Sequence, residues 1–323
     1  MSFLGKLLYK YYYRPIEKRD TIKRYGGKIK YTEMLDGEAE MRNYAFDKLA
    51  FSSPFNNFGK FKLNFLTGEK FIHQTLFCIY SFSKWLTYEE AKNFSISLYD
   101  DKSLKKKTIE LLKAKFPQLQ IFTYNETVEK VKNKFPKNDY PYINKKITEL
   151  FFFNKLFFLH SENDPGLKVY LDSDMLFVNR PSDFLNWLTL NYGNSNSAFA
   201  IEDIMRSYGY DQSQIENIAK KTIDHQINAG FYGLHTKNVN FDEIERLIKD
   251  IEENYGSSYY MEQFITSLLL TSQKNLTVFP RTDYIVWPSP TDIHFQNGAL
   301  HHYVDISKYG YFTKAWKKII KNH

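Results

Sequence analysis

Short apolar runs alternate with longer segments of helical periodicity from residue 61 onward. The predicted strands lie at 62–66, 94–99, 119–123 and 197–201, and the predicted helices between the first three lie at 71–84 and 104–116. Strands that alternate with helices of about 10–15 residues are joined by crossover connections. The pattern therefore predicts an α/β fold with a mainly parallel sheet.

Another apolar run ends in two carboxylates. The run at 168–171 is followed by Asp172, Ser173 and Asp174, and a second apolar run occupies 175–178. In open α/β sheets ligands bind beyond the carboxyl ends of the strands, where both aspartates fall. Two oxygen ligands at that edge suit Mg²⁺ or Mn²⁺, and such an ion binds a diphosphate. The same spacing also fits an acidic turn or a helix N-cap, so the rest of the chain has to distinguish these interpretations.

Other predicted strands end at the same edge of the sheet. Thr67 and Gly68 follow the first strand, and Asp100 follows the second. We expect the base and ribose of a nucleotide to lie there, with Asp100 accepting a hydrogen bond from a ribose or base donor. The alternative is that these residues form ordinary strand-to-helix turns.

A lysine lies within an aromatic helix that the pattern predicts over 144–160. Asn144 or Thr148 is expected near its cap, and Lys155 falls on the aromatic face. A lysine in that position usually extends its ammonium group to solvent. The alternative is that Lys155 points at a phosphate or a sugar hydroxyl.

Two later segments carry small or amide side chains. Asn228, Ala229 and Gly230 are small enough to let a backbone pass close to a ligand. Glu262 and Gln263 lead an apolar helix, where such a pair either caps the helix or binds sugar hydroxyls.

The two ends of the chain differ from the α/β region. Residues 1–16 place apolar and basic side chains on different helical faces, which predicts a helix that lies in a membrane interface or docks on the protein's own core. The rest of the segment up to residue 60 is polar and rich in turn-forming residues, and we expect irregular structure there. We divide the chain into an N-terminal extension (1–60), an α/β domain (61–312) and a basic amphipathic tail (313–323).

Composition limits the class of protein. The 323 residues are 43% hydrophobic and 18% aromatic, which is typical of a globular protein. A net charge of +7 favours an anionic partner, such as nucleic acid, a nucleotide diphosphate or an anionic membrane surface. A single cysteine, Cys78, excludes an intrachain disulfide framework and a cysteine-based zinc site. No nucleic-acid-binding signature is present, so we expect no nucleic acid partner.

Segments that direct a chain to or across a membrane can also be recognised in a sequence. We expect no signal peptide, because the first residues lack an apolar core followed by a small-residue cleavage site, and no run approaches the ~20 apolar residues that span a bilayer. We therefore expect a cytoplasmic protein, which the basic amphipathic ends would allow to bind the inner face of a membrane.

Together the segments resemble the metal-dependent GT-A glycosyltransferases, most closely the glycogenin-like and galactosyltransferase-like family eight. The resemblance covers about residues 60–312 and follows the family's order of short motifs, which are Lys155, Tyr170 to Asp174, Asn228-Ala229-Gly230, Glu262-Gln263, and His302-Tyr303 with Lys308. It implies the GT-A fold, in which helices flank a central, mainly parallel mixed sheet. This chain has Lys155 where the family commonly has arginine, Glu262 where it has aspartate, and Lys308-Tyr309-Gly310 where it has Lys-Pro-Trp.

The resemblance also implies an activity and a set of roles. The protein would be a hexosyltransferase that moves a sugar from a nucleotide-sugar donor, a UDP-sugar by preference, to a glycan or a lipid-linked acceptor. The implied roles are metal binding for Asp172, Asp174 and His302 with Mn²⁺ or Mg²⁺, charge stabilisation for Lys308, sugar binding for Asn228, Ala229, Glu262 and Gln263, and phosphate or sugar contact for Lys155, with Ser173 between the aspartates in the nucleotide site.

Some alternatives stay open on the sequence alone. His301 is the fallback metal ligand, because adjacent histidines look alike in sequence. The family eight branch retains the anomeric configuration, whereas an inverting enzyme needs a carboxylate base, for which Asp203 or Glu202 is available. A basic module that binds nucleic acid or anionic lipid without catalysis, and a nucleotide-sugar hydrolase on the same fold, are the competing functions.

Overall fold

A mixed sheet forms the centre of the molecule. The computed structural model describes residues 14–51, 54–162, 164–220, 223 and 225–321. The strands are β1 (Phe61–Thr67), β2 (Phe94–Asp100), β3 (Leu119–Phe122), β4 (Leu167–Leu171), β5 (Met175–Phe177), β6 (Ser197–Glu202), β7 (Ile227–His235), β8 (Asn275–Phe279), β9 (Tyr284–Val286) and β10 (Leu300–His302). Seven of them form one sheet in the order β3-β2-β1-β4-β7-β6-β8, and β5-β10-β9 form a second sheet.

The strand directions confirm the predicted mainly parallel sheet. Strand β1 runs parallel to β2 and β4, β2 to β3, and β6 to β8. Strand β7 is antiparallel to both of its neighbours, β4 and β6. The carboxyl ends of β1, β2, β4 and β6 therefore meet the beginning of β7 at one edge of the sheet.

Helices cover both faces of the large sheet. They are α1 (Arg14–Arg24), α2 (Lys28–Asp47), α3 (Ile72–Ser83), α4 (Tyr88–Ala91), α5 (Lys106–Lys115), α6 (Tyr124–Lys134), α7 (Pro141–Glu149), α8 (Asn154–Ser161), α9 (Ser182–Asn191), α10 (Gln212–Ala219), α11 (Phe241–Asn254), α12 (Met261–Thr271), α13 (Pro290–Phe295), α14 (Lys308–Gly310) and α15 (Trp316–Lys321). Val169 and Leu171 of β4 belong to one apolar cluster, and Tyr170 belongs to another. Because successive strand residues point to opposite faces, the two clusters are the cores on the two sides of the sheet.

The N-terminal extension is helical, so the expectation of irregular structure over residues 17–60 was wrong for most of that segment. Helices α1 and α2 occupy it up to Asp47. Helix α2 buries only a narrow stripe, consisting of Met34, Gly37, Met41 and Ala45. A stripe that includes a glycine and an alanine gives a weak periodic signal, which the charged residues around it conceal. Most of the amphipathic helix predicted over residues 1–16 lies outside the described residues.

The aromatic helix predicted over 144–160 is two helices. Helix α7 ends at Glu149, a short 3₁₀ turn covers Phe151–Phe153, and α8 begins at Asn154. The predicted cap near Asn144 was wrong, because its side-chain amide lies inside α7 and donates to the carbonyls of Phe135 and Tyr140 at 2.8 and 2.9 Å. The break matters for the site, since it sets the direction of α8 and of its Lys155.

The apolar face of the C-terminal tail packs on the protein itself. Trp316 and Ile319 are buried. The Trp316 ring lies 5.7 Å from that of Tyr44 in α2 and 5.3 Å from that of Phe77 in α3, measured between centroids. This face is therefore used inside the molecule and is not open to a membrane surface. No helix in the described ranges combines the length and hydropathy that a membrane-spanning segment needs.

Three buried histidines lead to a prediction about acid stability. Burial lowers the pKa of His73 and His160 from 6.5 to about 3 and that of His301 from 6.5 to about 4. In the unfolded chain these side chains take up protons as the pH falls through 6.5, whereas in the fold they stay neutral. We therefore expect the free energy of unfolding to fall between pH 7 and pH 5, by about 2 kcal/mol for each histidine.

Urea denaturation at the two pH values measures this effect. A His160→Gln variant should show a smaller fall than the wild type, because it has one buried histidine fewer. Equal free energies of unfolding at pH 7 and pH 5 in the wild type would contradict the prediction.

Candidate active site

A cavity of about 560 Å³ opens at the sheet edge where the strand ends meet. Residues that follow β1, β4 and β6 line it, together with the beginnings of β7 and α12 and the segment after β10. The lining includes most of the predicted site residues, namely Lys155, Asp172, Ser173, Asp174, Asp203, Asn228, Glu262, Gln263, His302 and Lys308.

Two aspartates and a histidine converge in this cavity. The Nε2 atom of His302 lies 3.2 Å from Oδ1 of Asp174 and 3.7 Å from Oδ2 of Asp172. One ligand atom from each of the three side chains lies within 4.8 Å of the other two. Two carboxylate oxygens and an imidazole nitrogen at such spacing form a donor set that fits Mn²⁺ or Mg²⁺, with the nitrogen favouring Mn²⁺.

Strand pairing brings these side chains together. Strand β10 pairs with β5 so that His302 faces Met175, the residue after Asp174. The backbone N–H of Tyr303 donates to the carbonyl of Asp174 at 2.8 Å, which continues that pairing into the acidic turn. The backbone N–H of Asp172 donates to the carbonyl of Gly230 at 2.7 Å and extends the pairing of β4 with β7.

Gly230 is needed at the centre of this arrangement. A Cβ atom there would lie 2.6 Å from Cε1 of His302 and 2.7 Å from both Oδ1 of Asn228 and Oδ2 of Asp172. No side chain fits at those distances, so the glycine lets β7 pass directly beneath the histidine and the aspartate. The sequence predicted a close approach of this backbone to a ligand; the close neighbours in the structure are the side chains of His302 and Asp172.

The neighbouring histidine is engaged elsewhere. Nε2 of His301 donates to the carbonyl of Asn297 at 2.7 Å, and its Nδ1 accepts from the hydroxyl of Tyr303 at 3.0 Å. Both ring nitrogens therefore have partners. Of the two histidines that the sequence could not distinguish, the structure places His302 beside the aspartates.

Charged side chains inside the cavity lie close enough to shift one another's pKa values. Lys308 lies 2.9 Å from Oδ2 of Asp174. Burial alone would raise the pKa of Asp174, but Lys308 and the hydrogen bond from His302 lower it well below its ordinary value. Burial would likewise lower the pKa of His302, and the contact with Asp174 raises it above its ordinary value. Asp174 is therefore held as a carboxylate.

A second ion pair lies deeper in the wall of the cavity. The ammonium group of Lys155 lies 2.7 Å from Oε2 of Glu262 and donates to the carbonyl of Ala229 at 3.1 Å. Oε1 of Glu262 accepts from the hydroxyl of Thr266 at 2.7 Å. Both charged side chains are buried, so Lys155 does not extend to solvent as a lysine in an aromatic helix usually does.

A carboxylate in the cavity lining holds two amide side chains. Oδ2 of Asp203 accepts from Asn228 at 3.2 Å and from Gln263 at 2.9 Å. Its Oδ1 accepts from the backbone N–H of Ile204 at 2.7 Å. Asp203 thereby fixes the orientation of Asn228 and Gln263, which both face the cavity.

The predicted nucleotide residues at the ends of β1 and β2 lie outside the lining. Oδ1 of Asp100 accepts from the backbone N–H groups of Lys102 and Leu104 at 3.0 Å, so Asp100 stabilises the strand-to-helix turn that was its alternative role. The hydroxyl of Thr67 lies 2.7 Å from that of Thr75. Gly68 packs against Asp101. The cavity lining contains Asp101 and none of the three predicted residues.

Several lining residues were not predicted from the sequence. Phe71 and Trp287 contribute from connections between elements, Asp305 from a 3₁₀ turn, and Arg24 from α1. Trp287 has a φ of 62°, which is unusual for a bulky residue, and its backbone N–H donates to the carbonyl of His302 at 2.9 Å. A Trp-Pro pair gives no signal for that conformation. Arg24 lies in the segment where we expected irregular structure.

Two solved structures that are similar to this fold are glycosyltransferases. Mouse xyloside xylosyltransferase 1 in its apo form superposes with a TM-score of 0.51 at 10% sequence identity, covering 75% of this chain and 96% of that chain. The galactosyltransferase LgtC in complex with donor and acceptor sugar analogs gives a TM-score of 0.50 at 13% identity, covering 80% and 94%.

Sequence comparison alone finds no relative. No protein-family model matches the chain, and no curated protein matches it. The structural similarity and the strand order agree with the fold that the short motifs implied. The fold of this chain is therefore that of the GT-A glycosyltransferases.

Proposed function

We propose that this protein is a glycosyltransferase that moves a sugar from a nucleotide sugar to a glycan or a lipid-linked acceptor with the help of a divalent cation. The observation that carries the proposal is the convergence of Asp172, Asp174 and His302 in the cavity at the carboxyl edge of the sheet. A UDP-sugar is the proposed donor, on the resemblance to family eight.

The three side chains would hold Mn²⁺ or Mg²⁺ at the diphosphate of the donor. Bound there, the cation supplies Lewis-acid stabilisation of the diphosphate leaving group. Lys308, fixed at 2.9 Å from Asp174, adds a preorganised positive charge on the same side of the cavity. These groups stabilise the charge that develops when the bond between sugar and diphosphate breaks.

We assign the amide side chains of the cavity to the donor sugar. Asp203 orients Asn228 and Gln263 toward the cavity, so we assign them to sugar hydroxyls. Glu262 already pairs with Lys155 and Thr266, and we assign it a positioning role.

The contacts of Asp203 favour a positioning role. Its oxygens already accept hydrogen bonds from two amide side chains and one backbone N–H group. We therefore assign Asp203 to positioning these amide side chains, and we propose a retaining reaction on the resemblance to family eight.

A thermal-shift screen of UDP, GDP, CDP and ADP, each with and without Mn²⁺, tests the proposal. The matching diphosphate should stabilise the protein by about 2.7 kcal/mol at a concentration of one hundred times its Kd, and only with the metal present. The corresponding nucleosides serve as controls, because they lack the diphosphate.

The competing functions give different results. If none of the diphosphates shifts the unfolding temperature while nucleic acid binds in a salt-sensitive manner, the basic module is the better description. Release of free sugar from the nucleotide sugar, whatever acceptor is offered, would identify a hydrolase.

A further inference from the structure

The helix pair α1–α2 is attached to the segment that carries His302 and Lys308. A Cβ atom on Gly37 of α2 would lie 2.4 Å from the carbonyl oxygen of Phe312, so the two backbones touch. The hydroxyl of Tyr309 donates to Glu33 at 2.7 Å. This contact holds α2 beside the turn that presents Lys308 to the cavity.

The same helix also contacts the loop after β1. The guanidinium group of Arg42 donates to the carbonyls of Glu69 and Lys70 at 3.0 and 3.1 Å. These residues directly precede Phe71, which lines the cavity. Helix α2 therefore connects the loop after β1 with the segment after β10, and both belong to the site.

The turn between the two helices places the end of α1 at the cavity. Gly26 and Gly27 have φ values of 82° and 106°, which glycine adopts readily and other residues rarely do. Just before this turn, the hydroxyl of Tyr25 donates to the carbonyl of Asp305 at 3.0 Å, and the guanidinium group of Arg24 pairs with the Asp305 carboxylate. Arg24 lines the same cavity as the metal-binding cluster.

Three cations line the cavity among the described residues, and each pairs with a carboxylate. The Lys155–Glu262 side chains are 9% and 4% exposed, and those of Lys308 and Asp174 are 25% and 18% exposed. The Arg24 and Asp305 side chains are 57% and 34% exposed. Solvent screens an exposed ion pair and weakens it. Replacing the carboxylate partner of Arg24 with another anion therefore costs less free energy than replacing the partner of either lysine.

We propose that Arg24 is an anion-binding residue of this site, which exchanges the Asp305 carboxylate for a phosphate oxygen of the nucleotide diphosphate. The inference rests on the proposed function and extends it to a helix pair outside the family resemblance. A guanidinium group matches phosphate oxygens with two parallel hydrogen bonds, which a lysine cannot reproduce. Asp305 begins a 3₁₀ turn that leads directly into the helix beginning at Lys308, and Arg24, Asp305 and Lys308 line the same cavity.

Calorimetry in the presence of Mn²⁺ measures the Kd for UDP in the wild type and in each variant. GDP replaces UDP as the probe if the screen selects it. Arg24→Ala should raise the Kd about tenfold, the loss of one charge-assisted contact. Arg24→Lys should recover part of the loss. Lys18→Ala, on the exposed surface of the same helix, removes the same charge and should leave the Kd unchanged.

Asp305→Asn separates binding from a structural role. If Arg24 binds the diphosphate, this variant frees it, and the Kd should fall below that of the wild type. If Arg24 only holds the loop in place, Arg24→Ala and Asp305→Asn should weaken binding alike, and that result overturns the proposal. So does an unchanged Kd in Arg24→Ala, whereas a wild type that binds no nucleoside diphosphate overturns the proposed function as well.

Discussion

Replacing Asp174 with asparagine is expected to abolish Mn²⁺-dependent nucleotide binding and to reduce sugar transfer by at least about 10³-fold. A metal ion contributes several kcal/mol of charge stabilisation to a leaving group, and each 1.36 kcal/mol is a factor of about ten in rate. Asparagine has nearly the shape of aspartate but no charge. It therefore removes a metal ligand and the partner of Lys308 without opening a cavity.

Two measurements check this result. Thermal shift with Mn²⁺ and UDP reports binding, and release of UDP from a UDP-sugar reports turnover. Asp139→Asn, an exposed aspartate outside the cavity, is the matched control and should behave as the wild type. If Asp174→Asn binds and transfers as fast as the wild type in added Mn²⁺, the metal assignment is wrong.

Replacing Lys155 with methionine is expected to be the most destabilising of these changes. It leaves Glu262 buried without its positive partner, and breaking a buried ion pair in this way costs about 3–5 kcal/mol. The double variant Lys155→Met, Glu262→Gln removes both charges. It should recover much of the lost stability, because no buried charge is left without a partner.

The pH dependence of the single variant gives a second check. Burial raises the pKa of Glu262 even with Lys155 nearby, and without the lysine this pKa rises further. A carboxyl group with a raised pKa in the fold loses its contribution to stability as the pH rises above about 4.3, the value in the unfolded chain. Relative to the wild type, Lys155→Met should therefore lose more stability at pH 7 than at pH 5.

Urea denaturation of the three proteins at both pH values measures these differences. A single variant as stable as the wild type at pH 7 would show that the Lys155–Glu262 pair contributes nothing to folding. A double variant no more stable than the single one would show that the loss is due to packing, with no part played by the unpaired charge.

The sequence by itself predicted the early strands, their alternation with helices and the position of the acidic turn. Apolar runs of strand length, such as Phe94–Asp100, are local features, and their alternation with helices specifies crossover connections wherever they occur. The position of Asp172 and Asp174 after β4 follows from the same pattern. These features depend on neighbours in the chain, so they are visible without the fold.

Other features depend on residues that are distant in the chain. His302 and His301 could be told apart as metal ligands only from the register of β10 on β5. In a strand, alternate side chains point to opposite faces, and this register turns His302 toward the aspartates. The burial of Lys155 depends on Glu262, which reaches it from another helix. No local pattern encodes either partner.

The N-terminal helices show most clearly that a local sequence pattern does not encode contacts between distant segments. Helix α2 buries a stripe too narrow to read as amphipathic, because Gly37 packs against the backbone at Phe312 rather than through a side chain. The strands, the acidic turn and the family resemblance follow from the sequence by itself. Which histidine meets the aspartates, what neutralises Lys155 and how Arg24 reaches the cavity were decided only by the tertiary structure, because each depends on contacts between segments far apart in the chain.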